Sequence, residues 1–227
     1  LGNLKRVIPE TNTIETDNGN LKYDYLVLAM GTEANFFGNE NLSQHALPMK
    51  TIDDALNIRN HILLRMEEAV QSGSLAERRK LANIVIAGGG PTGVEMAGML
   101  AEMSQAITRK DYPEISRRVG AIYLVDGSSA LLQPMSKKAQ AEAYNVLQGL
   151  RVKIILNTLV KDYVADEVLL SNGKKISSAT LIWCSGVIAR EVNGLSGEVI
   201  TRGRRILVDE INRVHGYENI FCIGDQC

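Results

Sequence analysis

Three glycines, Gly88, Gly90 and Gly93, follow an apolar run from Ile84 to Ala87 and open a stretch, Pro91-Thr92-Gly93-Val94-Glu95-Met96-Ala97, that reads as a helix. In a strand–turn–helix setting each glycine meets a separate need. The first permits a turn too tight for a side chain, the second lets the backbone approach a pyrophosphate, and the third lets the new helix pack on its strand. The helix N-terminus adds unpaired N–H groups and a partial positive charge, which suit a phosphate. Ala97 takes the next close-packing position. The chemistry predicted is dinucleotide binding, against the plainer reading of a structural glycine turn.

Asp126 is the second residue of this kind. It ends the strand that follows and lies 33 residues beyond Gly93, where roughly 20 is usual. The charged stretch at 108–118 accounts for the extra length. A carboxylate there accepts hydrogen bonds from the adenosine ribose and repels a 2′-phosphate, so it favours NAD(H) over NADP(H). The alternative is a solvated strand-end acid. Cys184, Cys222 and Cys227 form no CxxC pair and no metal-ligand spacing. Cys184 and Cys222 sit in strand-like runs and read as buried structural thiols. His45, His61 and His215 form no constellation and read as surface or loop residues.

The elements that must position these residues follow from pattern and punctuation. Short strands are expected at 5–8 and 13–16, a turn at Asn18-Gly19-Asn20, and a strong apolar strand at 25–30 ending on Gly31-Thr32. A loop from 35 to 42 leads to Pro48. Thr51 with Asp54 three residues on has the form of a capping box. Ala55, Ile58, Ile62, Met66 and Ala69 then recur at helical spacing, so 51–71 is an amphipathic helix closed by Ser72-Gly73-Ser74. Strand 83–87, helix 91–107 and strand 121–125 make a βαβ unit. Helix 136–150 and strand 152–156 continue it. Short strands at 160–164, 167–170 and 180–184 form a small meander, and 206–208 and 219–223 are the last strands.

Bulk properties exclude several classes. A net charge of −1 with 22% charged residues offers no nucleic-acid surface and no polybasic membrane patch. No apolar run approaches the roughly 18 residues of a membrane span. Sparse, odd-numbered cysteines suit a reducing compartment. The chain opens at Leu1 without a Met, inside an apparent hairpin, and stops after Gly224-Asp225, so the expectation is a piece of a longer protein.

The strand ends carry a resemblance. Tyr23-Asp24-Tyr25-Leu26-Val27-Leu28-Ala29-Met30-Gly31-Thr32 is similar to the Y-D-x-L-V-x-A-T-G segment of two-dinucleotide flavoprotein oxidoreductases, in which a nicotinamide domain interrupts a flavin domain of the same topology. Leu181-Ile182-Trp183-Cys184-Ser185-Gly186-Val187 resembles the strand that ends the inserted domain, and Asn219-Ile220-Phe221-Cys222-Ile223-Gly224-Asp225 the flavin-domain strand whose Asp binds the ribityl chain. Asn35-Phe36-Phe37-Gly38, the P-M-K-T-I-D-D-A segment at 48–55, the run at 88–102 and the inserted 108–118 region resemble type II NADH dehydrogenase, the single-subunit NADH:quinone oxidoreductase, of the pyridine nucleotide-disulfide oxidoreductase-like superfamily. The likeness covers essentially the whole chain. Met30 and Cys184 each replace a usual Thr, beside contacts made by backbone.

The resemblance implies an α/β fold: a Rossmann-like NAD-binding domain (49–190), with a central parallel sheet and a β-meander, inserted in an incomplete FAD-binding domain (1–48 and 191–227). Gly88, Gly90, Pro91, Thr92 and Gly93 would hold the NADH pyrophosphate, Asp126 the ribose, and Ser185, Gly186 and Val187 the nicotinamide side. Gly31, Thr32, Gly224 and Asp225 would contact FAD. Glu95, read as lying on the first turn of the helix, is implicated in positioning substrate and handling protons; the plain alternative is a carboxylate favouring its own helix N-terminus. Cofactors implied are FAD and NAD(H), and no metal. The reaction implied is hydride transfer from NADH to the flavin and two-electron reduction of a quinone, by a respiratory-chain enzyme peripheral to the cytoplasmic side of a membrane. The membrane contact and the first flavin glycine turn would lie outside this stretch, so the piece itself is expected to be soluble, inactive alone, and a weak binder of FAD. A homodimer is compatible with the sequence. A disulfide, ferredoxin or rubredoxin reductase and a non-catalytic NADH-sensing module stay open as alternatives.

Overall fold

The computed structural model describes residues 2–110, 112 and 119–227, and most of the 108–118 stretch lies outside them. The chain forms two compact units: a split unit, Leu1–Glu33 with Val187–Cys227, and a continuous unit, Ala34–Gly186. The sequence reading set its domain boundaries at 48/49 and 190/191.

The split unit begins with β1 (Leu4–Ile8), β2 (Thr13–Thr16) and β3 (Gly19–Lys22), an antiparallel meander, followed by β4 (Leu26–Leu28). β5 (Thr32–Ala34) carries the chain across to the continuous unit.

There α1 (Glu40–His45), β6 (Leu47–Pro48), α2 (Ile52–Gln71) and α3 (Leu75–Ala82) lead to β7 (Ile84–Ala87). Next come α4 (Pro91–Lys110), β8 (Ile122–Val125), α5 (Lys137–Gly149) and β9 (Lys153–Ile155). The meander β10 (Val160–Val164), β11 (Glu167–Leu170) and β12 (Lys175–Ser177) precedes β13 (Thr180–Trp183). A five-stranded sheet runs in the order β6-β13-β7-β8-β9, parallel at every junction. This is an open parallel α/β sheet, in which ligands lie outside the carboxyl ends of the strands.

Register makes the layers. Ile86 pairs with Ile182 and Leu124, so all three share a face, and they pack with Ile58 and Ile62 of α2, Met96, Ala97 and Leu100 of α4, and Leu147 of α5. One residue along, Val85, Ala87, Val125, Leu181 and Trp183 face the other way. They are covered by Leu42 and Ala46 near α1 and by Tyr163, Val168, Leu170 and Ile176 of the meander. Strands buried on both faces need continuous apolar runs, which is why β7 and β13 do not alternate in the sequence.

The chain returns through β14 (Val187–Ala189), which pairs with β5, to β15 (Ile220–Cys222), which lies parallel to β4. The split unit has its own core of Val7, Leu28, Val192, Val199, Ile206, Val214, Ile220 and Cys222.

Several expectations are corrected. Residues 206–208 are not a strand: isolated bridges Ile200↔Ile206 and Val208↔Val214 replace it. The first of these closes over the 3-10 turn Arg202–Arg204, where Gly203 (φ 74°) and Arg204 (φ 59°) have positive φ. The loop at 35–42 contains the start of α1, capped by Asn39 accepting from the Leu42 N–H. Ser72-Gly73-Ser74 does end α2, at Gln71, but α3, which was not expected, follows at once with Ser74 as its cap. The α2 capping box is present on both sides, Thr51 accepting from the Asp54 N–H and Asp54 from the Thr51 N–H. α4 continues to Lys110, past the predicted 107. Among the described residues no helix is long and apolar enough to cross a membrane.

Candidate functional site

The glycine turn sits at the carboxyl end of β7, between the ends of β13 and β8. Gly88 has φ 113°, which disfavours any side chain, and a Cβ on it would lie 2.7 Å from the Cys184 carbonyl oxygen. Its N–H donates to Val125 O (2.8 Å), and the Cys184 N–H donates to Ala87 O (2.8 Å), so both neighbouring strands hold the turn. At Gly93 a Cβ would land on the Gly88 carbonyl oxygen; the close approach of helix to strand is made there. Gly90 differs: a Cβ on it would meet nothing within 4 Å. Pro91 opens α4, a position that loses no hydrogen bond, and Thr92 is exposed beside it.

Asp126 reaches this turn. Its Oδ2 accepts from the Gly89 N–H at 2.5 Å and its Oδ1 from the Ser128 N–H at 2.6 Å. Two acceptor positions are thereby used, and about as many remain for hydroxyl donors. The Gly89 carbonyl is held from the same segment, by the Leu132 N–H at 2.8 Å. That segment is anchored in turn by Gln140 of α5, a buried amide whose Nε2 donates to Gln133 O (3.0 Å) and Met135 O (2.9 Å). Gln140 was missed by sequence reasoning. Its only local signal was a Gln on the inner face of a helix.

Glu95 is the fifth residue of α4 and lies beyond its first turn, correcting the placement read from sequence. The helix-terminus stabilisation weighed for it fades at that distance. Its side chain is exposed. At the end of β13, Ser185 is half-buried, and Gly186 is exposed with φ 76°. Val187, first residue of β14, is exposed.

In the split unit, Gly31 and Gly224 follow the carboxyl ends of the parallel neighbours β4 and β15, both at positive φ (69° and 75°). Thr32 is 3% exposed and its Oγ1 is buried with no hydrogen-bond partner. Asp225 is exposed. Gln226, also missed, is fully buried: its Oε1 accepts from the Met30 N–H (3.0 Å) and its Nε2 donates to Arg190 O (3.1 Å). It ties the two strand ends that carry Gly31 and Gly224.

All three thiols are free. Burial pushes the Cys184 and Cys222 thiols up to about 12, so neither is a thiolate near neutral pH. His45 and His215 are exposed, as read. His61 is not a loop residue: it lies in α2, half-buried, with Nε2 3.0 Å from Ala179 O. A carbonyl only accepts, so Nε2 carries the proton. Burial lowers its pKa.

The model of the pyridine nucleotide-disulphide oxidoreductase family matches residues 2–227. A type II NADH:quinone oxidoreductase of Mycobacterium tuberculosis is 34% identical over 216 residues, covering 90% of this chain and 46% of that protein. A probable mitochondrial NADH-ubiquinone oxidoreductase of Schizosaccharomyces pombe is 33% identical over 217 residues, covering 90% of this chain and 39% of that protein. The solved structure of NDH2 from Plasmodium falciparum in complex with NADH superposes with TM-score 0.89 at 27% identity, over 99% of this chain and 49% of that one. A ferredoxin reductase from Rhodopseudomonas palustris shares the fold at TM-score 0.77 and 17% identity. The chain spans about half the length of the relatives it matches.

Proposed function

Because this chain belongs to the pyridine nucleotide-disulphide oxidoreductase family, we propose that its continuous unit binds NADH within an enzyme that passes electrons from NADH through FAD to a quinone. The observation that carries the reading is the glycine turn whose Gly89 N–H is gripped by the Asp126 carboxylate, with open space above Gly90. Gly88, Gly90, Pro91, Thr92 and Gly93 hold the pyrophosphate through backbone N–H groups at the start of α4. Asp126 takes the adenosine ribose hydroxyls and excludes a 2′-phosphate by charge. Ser185, Gly186 and Val187 line the nicotinamide side, and Glu95 positions substrate.

Residues 1–48 and 191–227 are proposed as flavin-domain segments around a nicotinamide domain at 49–190. Gly31, Thr32, Gly224 and Asp225 fit a flavin there in one respect that the structure offers, the orphaned Thr32 hydroxyl beside a strand end. FAD held there would supply the two-electron redox chemistry that links hydride donor and acceptor. The protein's own residues bind, align and exclude water. A dithiol within the continuous unit is excluded, because the one cysteine between Ala34 and Gly186 is Cys184, partly buried with its thiol pushed up to about 12. Association with the cytoplasmic face of a membrane, and a homodimer, belong to the same proposal.

Titrating NADH and NADPH into the chain tests it. NADH is expected to bind about tenfold or more tightly than NADPH, and Asp126→Asn to narrow the gap. Equal affinity for both, or no binding of either, overturns the reading. In the full-length enzyme, NADH:menadione turnover that is unchanged by Glu95→Gln removes Glu95 from the site.

A further inference from the structure

Asn35-Phe36-Phe37-Gly38 has an unusual geometry. Phe36 O accepts from the Asn39 N–H at 3.0 Å, closing a tight turn whose two central residues, Phe37 and Gly38, both have positive φ (53° and 77°). Turns of this kind favour Asn, Asp or Gly at the first central position, because a Cβ is crowded there. A phenylalanine occupies it here.

The turn is stitched to the carboxyl end of β13. Asn35 Oδ1 accepts from the Phe37 N–H (2.8 Å), Asn35 O from Trp183 Nε1–H (2.9 Å), and Gly186 O from the Asn35 N–H (3.3 Å). Phe36 takes the inner side, 5.6 Å from the Trp183 ring, while Phe37 meets Trp183 edge-on at 6.5 Å. The Phe37 ring is nonetheless 70% exposed. Its tip lies over Gly186, where a Cβ would sit 2.7 Å from Cζ. An aromatic side chain is thus held in a disfavoured backbone conformation with most of its surface in water. Strain of that sort persists where the surroundings impose it, and it concentrates at binding sites.

The strand order tells what the ring faces. Across the carboxyl ends of the sheet the order is β13, β7, β8. The adenosine end of a dinucleotide is fixed by Asp126 after β8 and the pyrophosphate by the glycine turn after β7, so the nicotinamide extends towards the end of β13. Phe37 stands at that end. We propose that the Phe37 ring is the wall against which the nicotinamide ring of NADH is placed, by aromatic contact. This rests on the NADH reading above. Gly186 is glycine for two reasons on this account: its own φ of 76° and the ring that covers it.

The experiment compares NADH with ADP-ribose, which keeps the adenosine and pyrophosphate but lacks nicotinamide, in calorimetric titrations of this chain. Phe37→Asn removes the ring and keeps a residue that tolerates the left-handed conformation. Phe37→Tyr retains the ring. The expected result is about tenfold weaker NADH binding in Phe37→Asn, with ADP-ribose unchanged and Phe37→Tyr close to the parent. NADH affinity unchanged in Phe37→Asn overturns the proposal. NADH and ADP-ribose weakening together also overturns it, since the ring would then only support the fold. If the parent binds both ligands equally well, the nicotinamide gains nothing at this end and the proposal fails while the dinucleotide reading stands. If the parent binds neither, both fail.

Discussion

A methyl group added at Gly90 would enter open space, whereas one added at Gly93 would collide with the Gly88 carbonyl oxygen. Two glycines of one motif therefore meet different surroundings: Gly93 answers to the fold, and Gly90, on the proposed reading, to the dinucleotide. Gly93→Ala is expected to lower the thermal unfolding midpoint, at a cost of about 1–3 kcal/mol for overpacking, and to abolish NADH binding with it. Gly90→Ala should leave the unfolding midpoint unchanged while NADH affinity falls. Circular-dichroism melts alongside NADH titrations separate the two, and parallel behaviour of the two variants would refute the distinction. This contrast was legible in the sequence, because spacing alone assigns each glycine its task. The grip of Asp126 on Gly89 was half legible: the residue was found from its place after a strand, but not its backbone partners. Gln140 and Gln226 were not legible. An amide is recognised as an anchor only when the carbonyls it serves are known, and those of Gln226 belong to residues 30 and 190.

Helices announce themselves when cap and periodicity agree, and α2 had both. α3 had a cap at Ser74 but buries only Leu81, so its pattern carried no apolar stripe to detect. α1 is shorter still, and 206–208 looked extended because Ile, Leu and Val are strand formers; the turn that breaks the ladder is set by neighbours outside the segment. α2 also carries a pH dependence. Neutral His61 donates to Ala179 O, the carbonyl that precedes β13, with Arg65, Glu68 and Asp166 as its charged neighbours. Desolvation holds its pKa below the ordinary value of about 6.5. A base with a depressed folded-state pKa binds fewer protons folded than unfolded, so its stabilisation is complete above the ordinary value and is lost as the pH falls below it. Unfolding free energy should therefore drop between about pH 7.5 and pH 5.5. His61→Gln, which keeps a donor and cannot titrate, should flatten that drop; an equally steep profile in the variant would assign the loss to other groups.

At the scale of the molecule, the continuous unit is one uninterrupted stretch with cores on both faces of its sheet. Residues 34–186 expressed alone are expected to unfold cooperatively and to retain ADP-ribose binding; a non-cooperative melt would show that they need the split unit. That one unit interrupts another was readable from the three strand ends at Gly31, Gly186 and Asp225. The packing of Leu42 and Ala46 beneath the sheet was not, since nothing local marks a short helix as belonging to a core far along the chain. The split unit, by contrast, joins residues remote in sequence: β4 has its partner in β15, pairing Leu26 with Ile220, and Met30 N–H meets a Gln 196 residues later. At the usual pace of protein synthesis, about 5–20 residues per second, β4 leaves the ribosome roughly 10–40 s before the strand it needs. For that interval β4 lacks its partner β15. Collapse of the intervening residues into their own unit first would shorten the loop to be closed. The order of synthesis and the order of assembly are thereby tied together, and the nascent chain is most open to misassociation just before Ile220 emerges.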